Sequence, residues 1–260
     1  MEKNHTYVIS AYKQSEYLED LIQSLINQTM PSEIIMYTST PNEYISNLAN
    51  KYFLSLFVGV GGSIGKDWNN ALSYVKTPYA TIAHQDDTYL PTYTEKIMKE
   101  FTQQADTLIA FSDYDEFKNG EVVPRTINLK IKKFLLTPIK WFPSSKFVRN
   151  RSLSLGSSIC CPAVSYNLKQ LNGFKFNEEM KVSLDWEAWT RIAKMDGQFR
   201  FISAPLMYHR IHSDSETTAM ISDNTRNKED EYMYSLFWPK FMVKLLMKFY
   251  QKSQATNSVQ

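Results

Sequence analysis

Two groups of carboxylates in this chain have the types and spacing for chemistry. Asp86 and Asp87 are adjacent, at the end of the apolar run Tyr79 to Ala83. Adjacent carboxylates repel each other unless a cation or strong donors compensate. A hard divalent ion, Mn2+ or Mg2+, would do so. It takes oxygen ligands, keeps several waters and bridges the phosphates of a nucleotide. There it would neutralise charge on a leaving diphosphate. The same pair also suits a loop that leads into a helix at Pro91. Asp185 stands much later, in Leu184-Asp185-Trp186-Glu187-Ala188-Trp189. A carboxylate there would take the proton of an attacking hydroxyl on the face opposite the leaving group, which gives inversion. Its plain alternative is a first-turn acid that complements the helix dipole. Glu187 lies four residues before Arg191 and reads as a surface ion pair.

Two imidazoles, His209 and His212, lie three apart in Tyr208-His209-Arg210-Ile211-His212. No cysteine or carboxylate spacing completes a zinc site around them. One of them, His212 in preference, would touch a metal or a diphosphate. Gly59, Gly61, Gly62 and Gly65 loosen the chain before Lys66-Asp67-Trp68-Asn69. This stretch matches neither GxGxxG nor GxxxxGK[ST]. It reads as backbone lying beside a donor.

The elements that must position these residues alternate along the first half. Tyr7-Val8-Ile9 is a buried strand, and Tyr17, Leu18, Leu21, Ile22, Leu25 and Ile26 share one helix face. Glu33 to Tyr37 is a second strand. Thr40-Pro41-Asn42-Glu43 opens a helix, with threonine as cap, proline first and glutamate third. Phe53 to Val58, Tyr79 to Ala83 and Thr107 to Phe111 are further strands, separated by helices over Trp68 to Val75 and from Pro91. Such alternation implies parallel strands joined by right-handed crossovers. Ligands then bind beyond the carboxyl ends of the strands. That rule lines up Ser10 to Tyr12, Thr38-Ser39 and Asp86-Asp87 on one edge. The second half is less regular. Residues 122–165 mix lysine, proline and aromatics and read as loops over the sheet edge, forming a lid or acceptor site. Leu184 to Ala193 is a helix, and Phe199 to Ile202 a short strand.

Composition narrows the class. With 43% hydrophobic and 22% charged residues the chain is globular, not disordered. A net charge of +2 names no nucleic-acid partner. Its distribution says more: no acid occurs between Glu121 and Glu178, where ten lysines and arginines do. A basic field of this kind favours phosphates, a lipid surface or an acidic acceptor. From Leu236 to Tyr250 the chain is apolar with Lys240, Lys244, Lys248 and Lys252 at intervals of four. This helix either lies in a membrane interface or caps the core. Cys160 and Cys161 are adjacent and read as reduced thiols of a cytoplasmic protein. The N-terminus lacks a signal-peptide pattern, and no run of about 18 apolar residues is present.

In order and spacing these motifs resemble glycosyltransferase family 2 of the GT-A fold. The likeness covers roughly residues 5–110 and resumes near 155–215. It rests on Val8-Ile9-Ser10-Ala11-Tyr12, on Ser24-Leu25-Ile26-Asn27-Gln28-Thr29 and on Asp67-Trp68-Asn69-Asn70-Ala71-Leu72. It continues with His84-Gln85-Asp86-Asp87, Asn172-Gly173-Phe174, the Asp185 segment and Arg210-Ile211-His212. The resemblance implies a Rossmann-like mixed α/β sheet flanked by helices, with a C-terminal acceptor-side region. It divides the chain into a nucleotide-sugar half (1–112), an acceptor and base half (113–215) and a helical tail (216–260). It implies donor contacts at Ser10, Ala11, Tyr12, Thr38, Asn69 and Asp86, a divalent cation on Asp87 with His212, and Asp185 as base. The partners implied are a nucleotide-sugar donor and a saccharide or lipid-linked acceptor; separately, the basic middle segment and the lysine-striped tail suggest peripheral contact at the inner face of a membrane. Three positions depart from the family pattern: Thr38-Ser39-Thr40 replace acids after the second strand, His84 replaces the first metal-motif aspartate, and Leu184 replaces the acid before Asp185. The changes at Thr38 and His84 motivate an alternative, a catalytically inactive nucleotide-sugar or carbohydrate binder, while Leu184 leaves Asp185 as the lone base. A nucleotidyltransferase would want a basic glycine loop after the first strand, and Ala11-Tyr12-Lys13-Gln14 is not one.

Overall fold

The computed structural model describes residues 3–212 and 225–257, with side chains described up to residue 248. Part of the 216–260 tail therefore lies outside the described residues, as do the side chains of Phe249 and Lys252. The first half follows the alternation read above: β1 (His5–Ala11), α1 (Leu18–Ile26), β2 (Glu33–Thr38), α2 (Glu43–Lys51), β3 (Ser55–Val58), α3 (Ile64–Ser73), β4 (Tyr79–His84), β5 (Thr88–Tyr89) and α4 (Tyr93–Gln103). Then come β6 (Thr107–Lys118), β7 (Glu121–Val122), α5 (Ile127–Trp141), α6 (Lys146–Leu153), β8 (Val164–Asn167), α7 (Leu184–Ile192), β9 (Gln198–Arg210), α8 (Thr225–Ser235) and α9 (Lys240–Asn257).

The strands form one sheet in the order β3-β2-β1-β4-β8-β6-β9-β5, with β7 on β6. Strands β3, β2, β1 and β4 are mutually parallel. The parallel reading fails at β8, which enters antiparallel between β4 and β6. Its Val164–Asn167 run is fully buried, and burial on both faces hides strand direction from the sequence. Two apolar clusters sandwich the sheet. One holds Val8, Ile82, Phe111, Trp186 and Trp189, the other Ile9, Leu21, Tyr93 and Phe101.

Three expectations change. The α2 cap is Asn42, whose Oδ1 accepts from Ile45 N at 2.9 Å. Thr40 is drawn off instead, its Oγ1 accepting from Lys13 N at 2.6 Å. Residues 122–165 are not loops: they hold α5 and α6, capped by Thr126 and Ser145. The strand expected over Phe199 to Ile202 is part of a 13-residue strand, Gln198–Arg210, that runs on through Pro205. Ile202 pairs with Ser112 and Pro205 with Asp113, so Ser203 and Ala204 bulge out. A proline without an N–H is tolerated at such a bulge. Lys133 Nζ donates to Ser203 O at 2.9 Å and Lys140 Nζ to Ser203 Oγ at 3.0 Å, so α5 holds the bulge in place.

The tail helix caps the core along one face. Val243 is buried, and Phe237, Trp238, Leu246 and Met247 pack on the first cluster. Among the described residues no helix is long and apolar enough to cross a membrane.

Candidate active site

Register alone gathers the donor edge. Ser10 lies between Tyr37 of β2 and His84 of β4, and Ala11 beside Thr38. Tyr12 follows, pinned by Gln85. Its N–H donates to Gln85 Oε1 at 2.8 Å, and Gln85 Nε2 donates back to Tyr12 O at 3.0 Å. Its ring stays 40% exposed, open to stack on a ligand. Lys13 then turns the chain with φ of 55°. Thr38 is fully buried, with Oγ1 accepting from Thr40 N at 3.1 Å.

A carboxylate missing after β2 arrives from α3. Ser39 Oγ donates to Asp67 Oδ2 at 2.7 Å, and Tyr37 OH to Asp67 Oδ1 at 3.4 Å. Burial raises the Asp67 pKa, against the pull of these two donors. Gly59 sits so close that a Cβ there would come within 2.2 Å of Tyr37 OH. Nothing in the sequence pattern pairs Asp67 with residues 28 and 30 positions earlier. Two residues further, Asn69 is committed to the 176–178 segment. Its Nδ2 donates to Phe176 O and Glu178 Oε1, both at 3.0 Å, and its Oδ1 accepts from Phe176 N at 2.8 Å.

At the end of β4 the acidic pair divides. Asp87 is buried, and its Oδ1 takes His209 Nδ1 at 2.9 Å and Arg210 N at 3.0 Å. Its Oδ2 is buried and has no hydrogen-bond partner. Asp86 Oδ2 pairs with His212 Nε2 at 3.0 Å. His212 therefore sits on Asp86, and the imidazole on Asp87 is His209. The reason is β9: it runs antiparallel to β5 and sets Tyr208 opposite Thr88, one position from Asp87. Burial opposes charge on His209, but the Asp87 carboxylate outweighs it and the pKa rises. Burial pushes the Asp86 carboxyl up, and His212 together with His84 and His209 more than reverses this. Arg210 locks the corner: Nε donates to Asp86 O at 3.0 Å, and Nη2 to Asp20 at 3.1 Å. The guanidinium also covers the Tyr17 ring at 4.3 Å. His84 stacks on Trp68 with centroids 5.3 Å apart, and its buried Nε2 has no hydrogen-bond partner.

Asp185 sits in the first turn of α7, whose N-terminus is gripped by an acid the sequence did not flag. Glu229 of α8 accepts from the backbone N–H groups of Lys181, Val182 and Ser183 at 2.8–2.9 Å. Asp185 itself accepts from Trp186 N at 2.7 Å and Ser157 Oγ at 3.2 Å. Desolvation raises its pKa in spite of these donors. It shares neighbours with Asp87. The Cys160 thiol, pushed up by burial, is raised further by both carboxylates. Lys132 of α5 acts on both Asp185 and His209, and its Nζ donates to Tyr114 OH at 3.2 Å. Glu187 pairs with Arg191 at 2.6 Å, as its spacing suggested.

The chain is similar to known proteins along most of its length. The model of glycosyl transferase family 2 matches residues 6–173. An uncharacterized glycosyltransferase of Methanocaldococcus jannaschii is 26% identical over 214 residues, which is 78% of this chain and 69% of that one. Among solved structures, the 1–349 fragment of S. aureus TarS superposes with a TM-score of 0.62 at 16% identity, covering 94% of this chain and 69% of that one. The same fragment in complex with UDP-GlcNAc gives 0.64 at 15% identity, over 94% of this chain and 70% of that one. The mixed sheet with helices on both faces is the GT-A fold. The chain belongs to glycosyl transferase family 2, a family of sugar-transferring enzymes.

Proposed function

We propose that this protein transfers a sugar, with inversion, from a nucleoside-diphosphate sugar to a hydroxyl of a saccharide or lipid-linked saccharide. The observation that carries this reading is the buried Asp87 Oδ2, left without a hydrogen-bond partner at the end of β4, with Asp185 within electrostatic reach of the same Cys160 thiol. The donor lies along residues 1–112, with its base near Tyr12, Ser39 and Asp67. Residues 113–215 receive the acceptor. Asp185 is the base: a carboxyl whose pKa is raised by burial is better matched to a hydroxyl's proton. The UDP-GlcNAc held by the TarS fragment supports a uridine-linked hexosamine as the first donor to try.

The buried, unpartnered Asp87 Oδ2 fits a divalent cation. Among the described residues no three side chains form a metal cage. A cation that takes its remaining ligands from phosphate and water needs only one or two carboxylates. Asp87 would hold it, with Asp86 and His212 alongside, and it would supply charge neutralisation to the leaving diphosphate. His209 and Arg210 orient the Asp87 carboxylate, and Tyr12 and Asp67 orient the nucleoside.

The test is sugar transfer or donor hydrolysis across a panel of nucleotide sugars with Mn2+. An Asp185→Asn protein as active as the parent would overturn the reading. A second reading, binding without turnover, draws on the full engagement of Asp87 Oδ1 by His209 and Arg210. Donor titration by calorimetry that gives heat of binding but no product would favour it.

A further inference from the structure

We propose that the outer face of α5 docks on an anionic lipid bilayer. Ile127, Ile131, Phe134 and Trp141 on this helix are 75%, 50%, 76% and 68% exposed. Their spacing brings all four within about 80° of arc at 3.6 residues per turn. The opposite side carries Leu129, Leu136 and Ile139, all buried. A helix apolar on two opposed faces needs two partners, and the described residues supply one. Scattered exposed hydrophobics are ordinary, but a ridge of large ones is not. The ridge continues past the helix end into Phe142 and Phe147, both well exposed.

Charge selects the occupant. The stretch 122–177 has no acid, and exposed Lys130 and Arg151 flank the ridge. Arg151 stacks on Phe147 at 5.6 Å and on Trp238 at 5.0 Å, which ties α6 to the start of α9. There Phe241 and Leu245 are exposed among Lys240, Lys244 and Lys248. Aromatic and aliphatic side chains set in a basic rim match the interfacial region of a bilayer with acidic headgroups. A second copy of the chain would set basic rim against basic rim. The inner side of α5 carries Lys132, which acts on Asp185. A helix is about 10 Å across, so a docked α5 would be a thin partition between headgroups and the catalytic side. The consequence that a membrane-held acceptor reaches Asp185 rests on the transferase reading; the docking surface does not.

The experiment is co-sedimentation of the full chain with vesicles of phosphatidylcholine alone or with about one-third phosphatidylglycerol. The parent protein should pellet with the anionic vesicles, more weakly at high salt, and remain in solution with the neutral ones. A Phe134→Ser, Trp141→Ser protein should lose about tenfold or more in partitioning with unchanged melting temperature and donor binding. A parent that ignores anionic vesicles would sink the proposal, as would a double variant that pellets like the parent. So would a parent dimer that the double variant dissolves, since the occupant is then a second copy. Vesicle binding without sugar transfer would leave the surface standing and remove the transferase reading.

Discussion

Asp87 and His209 form a hydrogen-bonded pair, Oδ1 to Nδ1 at 2.9 Å, across 122 residues of chain. The same oxygen takes the Arg210 N–H. One buried carboxylate thus fastens the end of β4 to the end of β9. Asp87→Ala would leave a backbone N–H and an imidazole unmatched, at a cost of roughly 3 kcal/mol. Asp87→Asn keeps an acceptor for Arg210 N and should melt closer to the parent. Both should lose about 100-fold or more in transfer. Melting curves beside a transfer assay separate the two effects; an active Asp87→Ala protein would contradict them.

Asp185 has a raised pKa, so the acid limb of the rate profile should lie above the ordinary carboxylate range of about 4. The linkage sign follows. A carboxyl with a folded pKa above its unfolded one stabilises the fold below the unfolded value, and that contribution is lost as pH rises through the folded value. Above that folded value the ionised group is a burden on the native state. Asp185→Asn should therefore melt a few degrees higher at pH 7, with little gain at acidic pH, while transfer is abolished. Differential scanning calorimetry at the two pH values checks this, and a lower melting point at pH 7 would contradict it.

His5 is buried between Ser32 and Thr81, bonded to each at 2.9 Å. Burial lowers its pKa to about 3. The unfolded chain takes up a proton near pH 6.5 that the folded chain refuses. Stability attributable to His5 is complete above that value and falls as pH drops from 6.5 towards 3, by up to about 1.4 kcal/mol per pH unit. Urea midpoints at pH 5 and pH 7 should differ less for His5→Gln than for the parent. An equal difference would remove this role.

Gly59→Ala would force a methyl to within 2.2 Å of Tyr37 OH and disturb the hydroxyl that donates to Asp67. Asp67→Asn leaves the packing and removes the charge. Each should weaken donor affinity by roughly tenfold, the cost of about one charge-assisted hydrogen bond. Calorimetric titration with the nucleotide alone reads this directly, and an unchanged affinity for Asp67→Asn would exclude it from the donor site.

Much of the first half could be read from the sequence because its signals agree. Short apolar runs such as Tyr7-Val8-Ile9 give strands, and Leu18, Leu21, Ile22 and Leu25 give one buried helix face. Element α5 was illegible for a physical reason: its apolar residues lie on two sides, which blurs the helical period, and Pro138 interrupts it. The second part of β9 was lost at Pro205, where a bulge lets the strand resume. Asp86, Asp87 and Asp185 stood out by type and neighbours. Their partners did not. Whether His209 or His212 meets Asp87 depends on the register of β9 against β5. The Ser39–Asp67 bond depends on how α3 leans over β2.

The looped-out pair Ser203-Ala204 makes the spacing between Ile202 and His209 a gauge length. One residue added or removed there would turn every later side chain of β9 to the other face of the sheet. His209 would then point away from the end of β4 while the rest of the fold stood. Insertions and deletions across 203–209 should therefore be poorly tolerated.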